Sequence, residues 1–421
     1  MTPSPAAKSG EGARRRWREA GRWGVLVAAV ALAWLGSVGY SGSVVLPALS
    51  PFVATGSLLA ARAAGVVTLL AVPVLLLALW LPRWFCRYGC PTGFLQELLE
   101  RLRPGAPLQM MRVPEVGKWL VAITFGGACI GYPVFLWLDP LALFNGFLNA
   151  WRLPLTAATA LMGIGLPALL IFDLVFPRVW CQRLCPLGAT QELLAWPRRW
   201  LRLSRSQQPP DKQSVSGPLL ARRLFFGGCF GAAGAFLSGK ARASSQPPLR
   251  PPGALDEARF VGVCIRCGNC AGACPSHVIR PDLGASGVAG LLTPQLSFNS
   301  DYCREDCHRC GQVCPSGAIA RLPLSEKRRR VIGPARVDLE TCLLANGREC
   351  TACLKRCPYE ALFMNSPDGG FTNEPRVDLA KCTGCGACEA VCPVRPHRAI
   401  RVTAALGDPK TVSTRTAESS N

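Results

Sequence analysis

The residues with the clearest capacity for chemistry are cysteines, and they come in quartets. Cys264, Cys267, Cys270 and Cys274 lead into Pro275, and Cys303, Cys307, Cys310 and Cys314 lead into Pro315. Cys342, Cys350, Cys353 and Cys357 lead into Pro358, and Cys382, Cys385, Cys388 and Cys392 into Pro393. The first and last quartets have the spacing C-x2-C-x2-C-x3-C-P, the bacterial run for a [4Fe-4S] cubane. The second is one residue looser at its start, and the third opens wider. Thiolates two residues apart can line one tight loop, each reaching a different iron. The last cysteine of a run, fixed by its proline, ligates either the same cluster or a neighbouring one. A four-cysteine zinc site needs two separated pairs and gives the third cysteine of a run no role. Disulfides do not require so regular a spacing. Cys303 to His308 looks like a loose haem-attachment motif, but both cysteines are needed by the second quartet. The expectation is four [4Fe-4S] clusters and no haem.

A second set of thiols is duplicated. Leu81-Pro-Arg-Trp-Phe-Cys86-Arg-Tyr-Gly-Cys90-Pro91-Thr-Gly93 precedes Gln96-Glu97-Leu98-Leu99. Phe176-Pro-Arg-Val-Trp-Cys181-Gln-Arg-Leu-Cys185-Pro186-Leu-Gly188 precedes Gln191-Glu192-Leu193-Leu194. Each C-x3-C-P follows a pair of apolar runs, so the unit repeats in one orientation, about a pseudo-twofold axis. Such a repeat brings Cys86, Cys90, Cys181 and Cys185 near one another. They could hold a further cluster, bind a soft metal such as Cu(I), or act as a redox dithiol pair. A structural turn with buried cysteines is the plain alternative. Cys129 and Cys229 stand singly in apolar runs and read as packing residues.

The elements that must position these thiols read as helices in a membrane. Of the 421 residues, 49% are hydrophobic and only 17% charged, which suits a membrane protein. Apolar runs at about 23–40, 63–81, 119–138 and 155–176 each approach the length of a span. Arginines concentrate before the first run, between the second and third (Arg83, Arg87, Arg101, Arg103, Arg112) and after the fourth (Arg178, Arg183, Arg198, Arg199, Arg202, Arg205). The other two connections hold only Arg62 and Arg152. The positive-inside rule then puts both C-x3-C-P motifs at the cytoplasmic surface. This distribution also accounts for much of the net charge of +21, and with no reader motif present it argues against nucleic acid. The only histidines, His277, His308 and His397, lie in the cysteine-rich part, so no apolar segment supplies a bis-histidine haem site. Asp173 lies within the fourth run, and Asp139-Pro140 closes the third at the opposite face. Both are candidate quinol proton acceptors, since acids at membrane depth are functional by default. Asp139 reads equally as a helix-end residue in a turn.

Residues 1–21 form a basic N-terminal segment, 22–203 a four-span membrane domain, and 204–243 a linker with an apolar segment. Within the last, Arg222-Arg223 precedes a short Gly/Ala-rich run and Ala241-Arg242-Ala243 follows, the layout of a twin-arginine export signal. A fifth span or an ordinary core helix fits the same run. Residues 244–402 form the four-cluster domain, in which the basic insert Glu326 to Arg330 reads as a solvated loop, and 403–421 a disordered tail. The fold class expected is an α-helical membrane bundle followed by an α+β polyferredoxin domain.

With these motifs in view, residues 20–200 resemble the NapH-type membrane polyferredoxins, marked by four spans and paired C-x3-C-P motifs. Residues 218–400 resemble the NapG/MauM-type periplasmic ferredoxins, marked by a twin-arginine leader and quartets of this kind. The resemblance implies a quinol dehydrogenase-type protein of the bacterial inner membrane, with its ferredoxin domain periplasmic. It would pass electrons from the quinone pool to a periplasmic reductase or c-type cytochrome. Cys264 to Cys392 would carry the clusters, and Asp139, on the outer face, would take the quinol proton. Such a layout puts the membrane thiols and the clusters on opposite faces, about 30 Å apart. A second function class avoids that gap by keeping both parts on one side: a maturation factor in which the clusters reduce or copper-load the C-x3-C-P thiols.

Overall fold

Prolines decide where the helices of the first half start. In the computed structural model, Ser50-Pro51 opens one helix and Asp139-Pro140 another, each with its polar side chain as N-cap. The structure describes residues 5–39, 42–62, 66–102, 114–196, 198, 224–234, 236, 248–284, 287–366 and 373–404. Two units are present. The first comprises Met1–Ala243, Ala258–Asn269 and Val313–Ala318, and the second Ser244–Glu257, Cys270–Gln312 and Ile319–Asn421.

The first unit is built from two copies of one plan. One copy contains α1 (Pro5–Gly39), α2 (Gly42–Ala48), α3 (Pro51–Ala61), α4 (Val72–Trp80), α5 (Trp84–Tyr88) and α6 (Pro91–Leu102). The other contains α7 (Val116–Cys129), α8 (Pro140–Ala150), α9 (Ala157–Val175), a π-helical turn at Trp180–Leu184 and α10 (Pro186–Leu194). The half-length helices α3 and α8 meet at their N-termini. Ser50 Oγ accepts from the Val53 N–H and donates to Asp139 Oδ1 at 2.7 Å, while Asp139 Oδ2 accepts from the Leu141 and Ala142 N–H groups at 3.1 Å each. Phe52, Val53, Val121, Leu136, Leu141 and Leu187 form the dry core around this junction.

The expectation of a four-span bundle is not met. Among the described residues only Ala157–Val175 is long and apolar enough to cross a membrane, joined at most by the pair α2 and α3, which is bent by 89°. The run at 63–81 is divided: Val66–Ala71 forms a 3-10 helix, and Val72-Pro73 starts α4. The run at 119–138 ends early because Gly131, at φ +96°, turns the chain before Pro133, leaving α7 with 14 residues. The described part of the run at 23–40 lies within the 35-residue α1, whose first half is polar. Arg222, Arg223 and Ala241 to Ala243 of the export-like segment lie outside the described residues, as do the linker from residue 204 and the tail beyond Ala404. The apolar run between them is an 11-residue helix, Leu224–Gly234. It lies backbone to backbone on α7, where a Cβ at Gly231 would stand 2.0 Å from the Ile123 carbonyl oxygen.

The second unit is made of short helices and loops with little sheet. Among its described residues it has three two-stranded antiparallel ladders. β1 (Ile279–Pro281) pairs with β2 (Pro294–Leu296), β3 (Ala335–Val337) with β6 (Ile400–Val402), and β4 (Leu362–Asn365) with β5 (Glu374–Val377). The expected α+β character thus reduces to these ladders around four- to six-residue helices.

Candidate functional site

The cysteine runs fold as tight loops, each ending in a short helix that turns backbone N–H groups toward sulfur. Gly311 donates to Cys310, Ala387 to Cys385 and Glu389 to Cys388. These bonds favour thiolate and suit a cluster ligand. Burial opposes them, raising Cys303 and Cys353 to about 11 and Cys385 to about 12. Iron binding must therefore displace protons from these thiols.

The sulfurs group so that the last cysteine of a run stands with the thiols of the other run of its pair. In the second unit Cys274 acts electrostatically on Cys303 and Cys310, so it stands with Cys303, Cys307 and Cys310. In the first unit Cys314 stands with Cys264 and Cys267. Cys357 likewise joins Cys382, Cys385 and Cys388, and one apolar cleft is lined by Cys342, Cys350, Cys353 and Cys392. Ligand exchange between paired runs is the two-cluster ferredoxin arrangement. The two pairs also touch within the second unit, where the Cys303 N–H donates to the Cys385 carbonyl at 2.9 Å. Among the described residues no group of three His, Cys, Asp or Glu side chains is set to hold a single metal ion. The donor sets are all cysteine at ferredoxin spacing, which suits clusters.

One contact was invisible in the sequence. The insert at Glu326 to Arg330 is exposed as expected except at Lys327, only 4% exposed, and it is helical rather than a loop over Leu324–Arg329. The Lys327 ammonium donates to the Arg304 carbonyl and to the Cys303 sulfur.

The first unit brings the duplicated thiols together. Cys181 feels the charges of Cys185, Cys90 and Cys86, and Cys86 those of Cys185 and Cys90. Burial is the largest effect on all four, raising Cys90 to about 11 and Cys185 to about 12. Equivalent groups of the two repeats surround them. Cys90 accepts from the Thr92 and Gly93 N–H groups, and Cys185 from those of Leu187 and Gly188. A Cβ on Gly188 would stand 3.8 Å from Cys86 Sγ, and one on Gly93 3.9 Å from Cys90 Sγ, so both glycines leave room beside sulfur. Arg83 and Arg178 both take left-handed φ values, 59° and 60°, and each reaches across to the other repeat: Arg83 pairs with Glu192 at 2.6 Å, Arg178 with Glu100 at 2.9 Å.

The two acids are placed differently. The sequence put Asp139 and the C-x3-C-P motifs on opposite faces, yet Asp139 acts directly on Cys90 and Cys185, and Thr92 Oγ1 donates to the Pro140 carbonyl at 3.1 Å. Burial raises Asp139 to about 6 against its bonds from Ser50, Ala142 and Leu141, and both its oxygens are engaged. Asp173 is also buried, but its Oδ1 has no hydrogen-bond partner among the described residues. It helps line a cavity of about 710 Å³ with Cys86, Cys181, Arg22, Arg178, Trp84 and Tyr88.

The other end of α8 reaches the first cysteine run, inside the same unit. Asn145 and Asn149 donate to Asn269 Oδ1 at 2.5 and 2.8 Å, and Asn149 also donates to the Cys267 carbonyl at 2.8 Å. Asn269 Nδ2 donates to the Ser43 and Val313 carbonyls at 3.0 and 3.3 Å. The 11 residues of α8, roughly 16 Å of helix, thus run from the Asp139 cap that acts on Cys90 and Cys185 to the Cys267 carbonyl.

Comparison with known proteins agrees with this grouping. The 4Fe-4S dicluster domain family matches residues 263–318 and 324–395, each stretch enclosing one exchanging pair. A second family, described as a 4Fe-4S binding domain, matches residues 63–107 and 158–204, which contain the two C-x3-C-P motifs. The methylamine utilization ferredoxin-type protein MauM of Methylophilus methylotrophus is 37% identical over 209 residues, covering 46% of this chain and 91% of the relative. The ferredoxin-type protein NapG of Escherichia coli is 38% identical over 163 residues, 37% of this chain and 69% of the relative. The ferredoxin-type protein NapF of Escherichia coli is 32% identical over 160 residues, 38% of this chain and 87% of the relative. No solved structure matches.

Proposed function

Because the chain belongs to the family of ferredoxin-type proteins that includes MauM and NapG, we propose that it carries electrons from a membrane quinol to a reductase or c-type cytochrome on the outer side of the bacterial inner membrane. Its coarser character, a ferredoxin-type iron–sulfur electron-transfer protein, follows from family membership and the matched domains. Bound clusters supply one-electron carriage. By their spacing, Cys264, Cys267, Cys270, Cys274, Cys303, Cys307, Cys310 and Cys314 would hold two clusters between them, Cys357, Cys382, Cys385 and Cys388 a third, and Cys342, Cys350, Cys353 and Cys392 the fourth.

The quinol end of the reading rests on the cavity beside Cys86 and Cys181. Oxidising a quinol releases two electrons and two protons. Asp173 offers a buried carboxylate oxygen with no partner among the described residues, placed to accept one proton. The second leaves to water through the open mouth. Asp139 has both oxygens committed to capping α8 and to Ser50, so we assign it to positioning rather than to proton transfer. Trp84 and Tyr88 give the cavity aromatic surface for a quinol ring. Ala157–Val175 would serve as the membrane anchor, and the Arg222-Arg223 layout motivates placing the quartets outside.

The test is Asp173→Asn. Reduction of the clusters by a soluble quinol, followed by loss of visible absorbance under anaerobic conditions, should slow by about 100-fold or more, while dithionite reduces them as in the wild type. An unchanged quinol rate would overturn the assignment.

A further inference from the structure

The four C-x3-C-P thiols have a pair of neighbours that no motif assigns. Gln96 and Gln191 occupy the same position in the two repeats, six residues after the second cysteine, and are 4% and 0% exposed. Each contacts sulfur across the pseudo-twofold axis. Gln191 Nε2 donates to Cys86 Sγ at 3.2 Å, and Cys181 Sγ donates to Gln96 Oε1 at 2.5 Å. The two amides are thus presented in opposite senses to equivalent sulfurs. Gln96 Nε2 and Gln191 Oε1 are left buried with no partner among the described residues. An orphaned buried amide N–H loses its water without gaining a partner, so its presence calls for a reason.

Loss of the thiol protons supplies that reason. A thiol can donate to Gln96 Oε1, but a metal-bound thiolate has nothing to donate. Turning the Gln96 amide over, a change that exchanges its O and N positions, aims Nε2 at Cys181 Sγ and ends its isolation. Gln96 then mirrors Gln191, and all four sulfurs receive N–H bonds: Cys86 and Cys181 from the crossed glutamines, Cys90 and Cys185 from the backbone at Thr92, Gly93, Leu187 and Gly188. The room left by Gly93 and Gly188 completes a cradle that belongs to neither repeat alone.

The 4Fe-4S binding domain family covers both motifs; we propose that Cys86, Cys90, Cys181 and Cys185 share a single such cluster between the two repeats, and that Gln96 and Gln191 set its potential by N–H bonds to the sulfurs of the opposite repeat. Hydrogen bonds to cluster sulfur favour the reduced state and raise the potential. The glutamines act through the ligands and are positioning residues. The inference does not depend on the source of the electrons, so quinol oxidation can fail with this site intact.

The experiment uses the full chain, purified anaerobically in detergent, with iron analysis and an EPR-monitored redox titration by dithionite. Cys86→Ser and Cys181→Ser should each remove the same signal and the same share of iron, and the double variant no more. Gln96→Leu and Gln191→Leu should each move that signal to lower potential, and Gln191→Glu further still, with the signals of the four quartets in place as the fold control. Loss of two different signals, additive iron loss, no iron loss, or a potential unmoved by all three glutamine variants would overturn it.

Discussion

A buried ammonium beside a cluster thiolate places positive charge where reduction adds an electron. Lys327 holds that position at Cys303. Lys327→Met should lower the midpoint of the cluster assigned to Cys274, Cys303, Cys307 and Cys310 and leave the other three ferredoxin signals where they are. An EPR redox titration reads this directly, and an unmoved midpoint would show that the charge has no electrostatic role. Residues of this kind were illegible in the sequence. Lys327 lies in a run of basic residues that reads as solvated, and only the packing of Leu324–Arg329 carries it to Cys303. The cysteines were legible because a cubane imposes its spacing on the ligands themselves. Gln96 and Gln191 fall between these cases, since the repeat displayed them but gave no hint that each crosses to the other half.

At the scale of elements, the exchange of last ligands makes a prediction that spacing alone could not decide. Cys274→Ser should abolish the same cluster signal as Cys310→Ser, although the two cysteines belong to different runs, and Cys314→Ser should abolish the other signal of that pair. Single-variant EPR spectra separate the outcomes; a Cys274→Ser spectrum matching that of Cys267→Ser would contradict the exchange. The helices were less legible than the loops. Mean hydropathy marked the apolar runs correctly but ignored what punctuates them: Pro73 starts a new helix, and Gly131 with Pro133 ends α7. The same omission hid α8, which runs from the thiol site at Asp139 to the Cys267 carbonyl. A hydropathy profile treats Asp139-Pro140 as the end of a span. In the structure it is the start of the connection.

For the whole molecule, the duplicated thiols belong to one folding unit with Cys264, Cys267 and Cys314, because Ala258–Asn269 and Val313–Ala318 pack within the first unit rather than the second. The buried amides of Asn145, Asn149 and Asn269 hold the start of the first cysteine run in place. This arrangement favours a single relay over separate membrane and soluble functions, and the central claim is that the C-x3-C-P thiols are the entry to it. The most direct test is rapid-freeze EPR of the full chain mixed with a soluble quinol, comparing wild type with Cys86→Ser/Cys181→Ser. The quartet clusters of the variant should remain reducible by dithionite but lose reduction by quinol, by about 100-fold or more on the scale of a removed catalytic group. Reduction of those clusters by quinol at the wild-type rate would contradict the account.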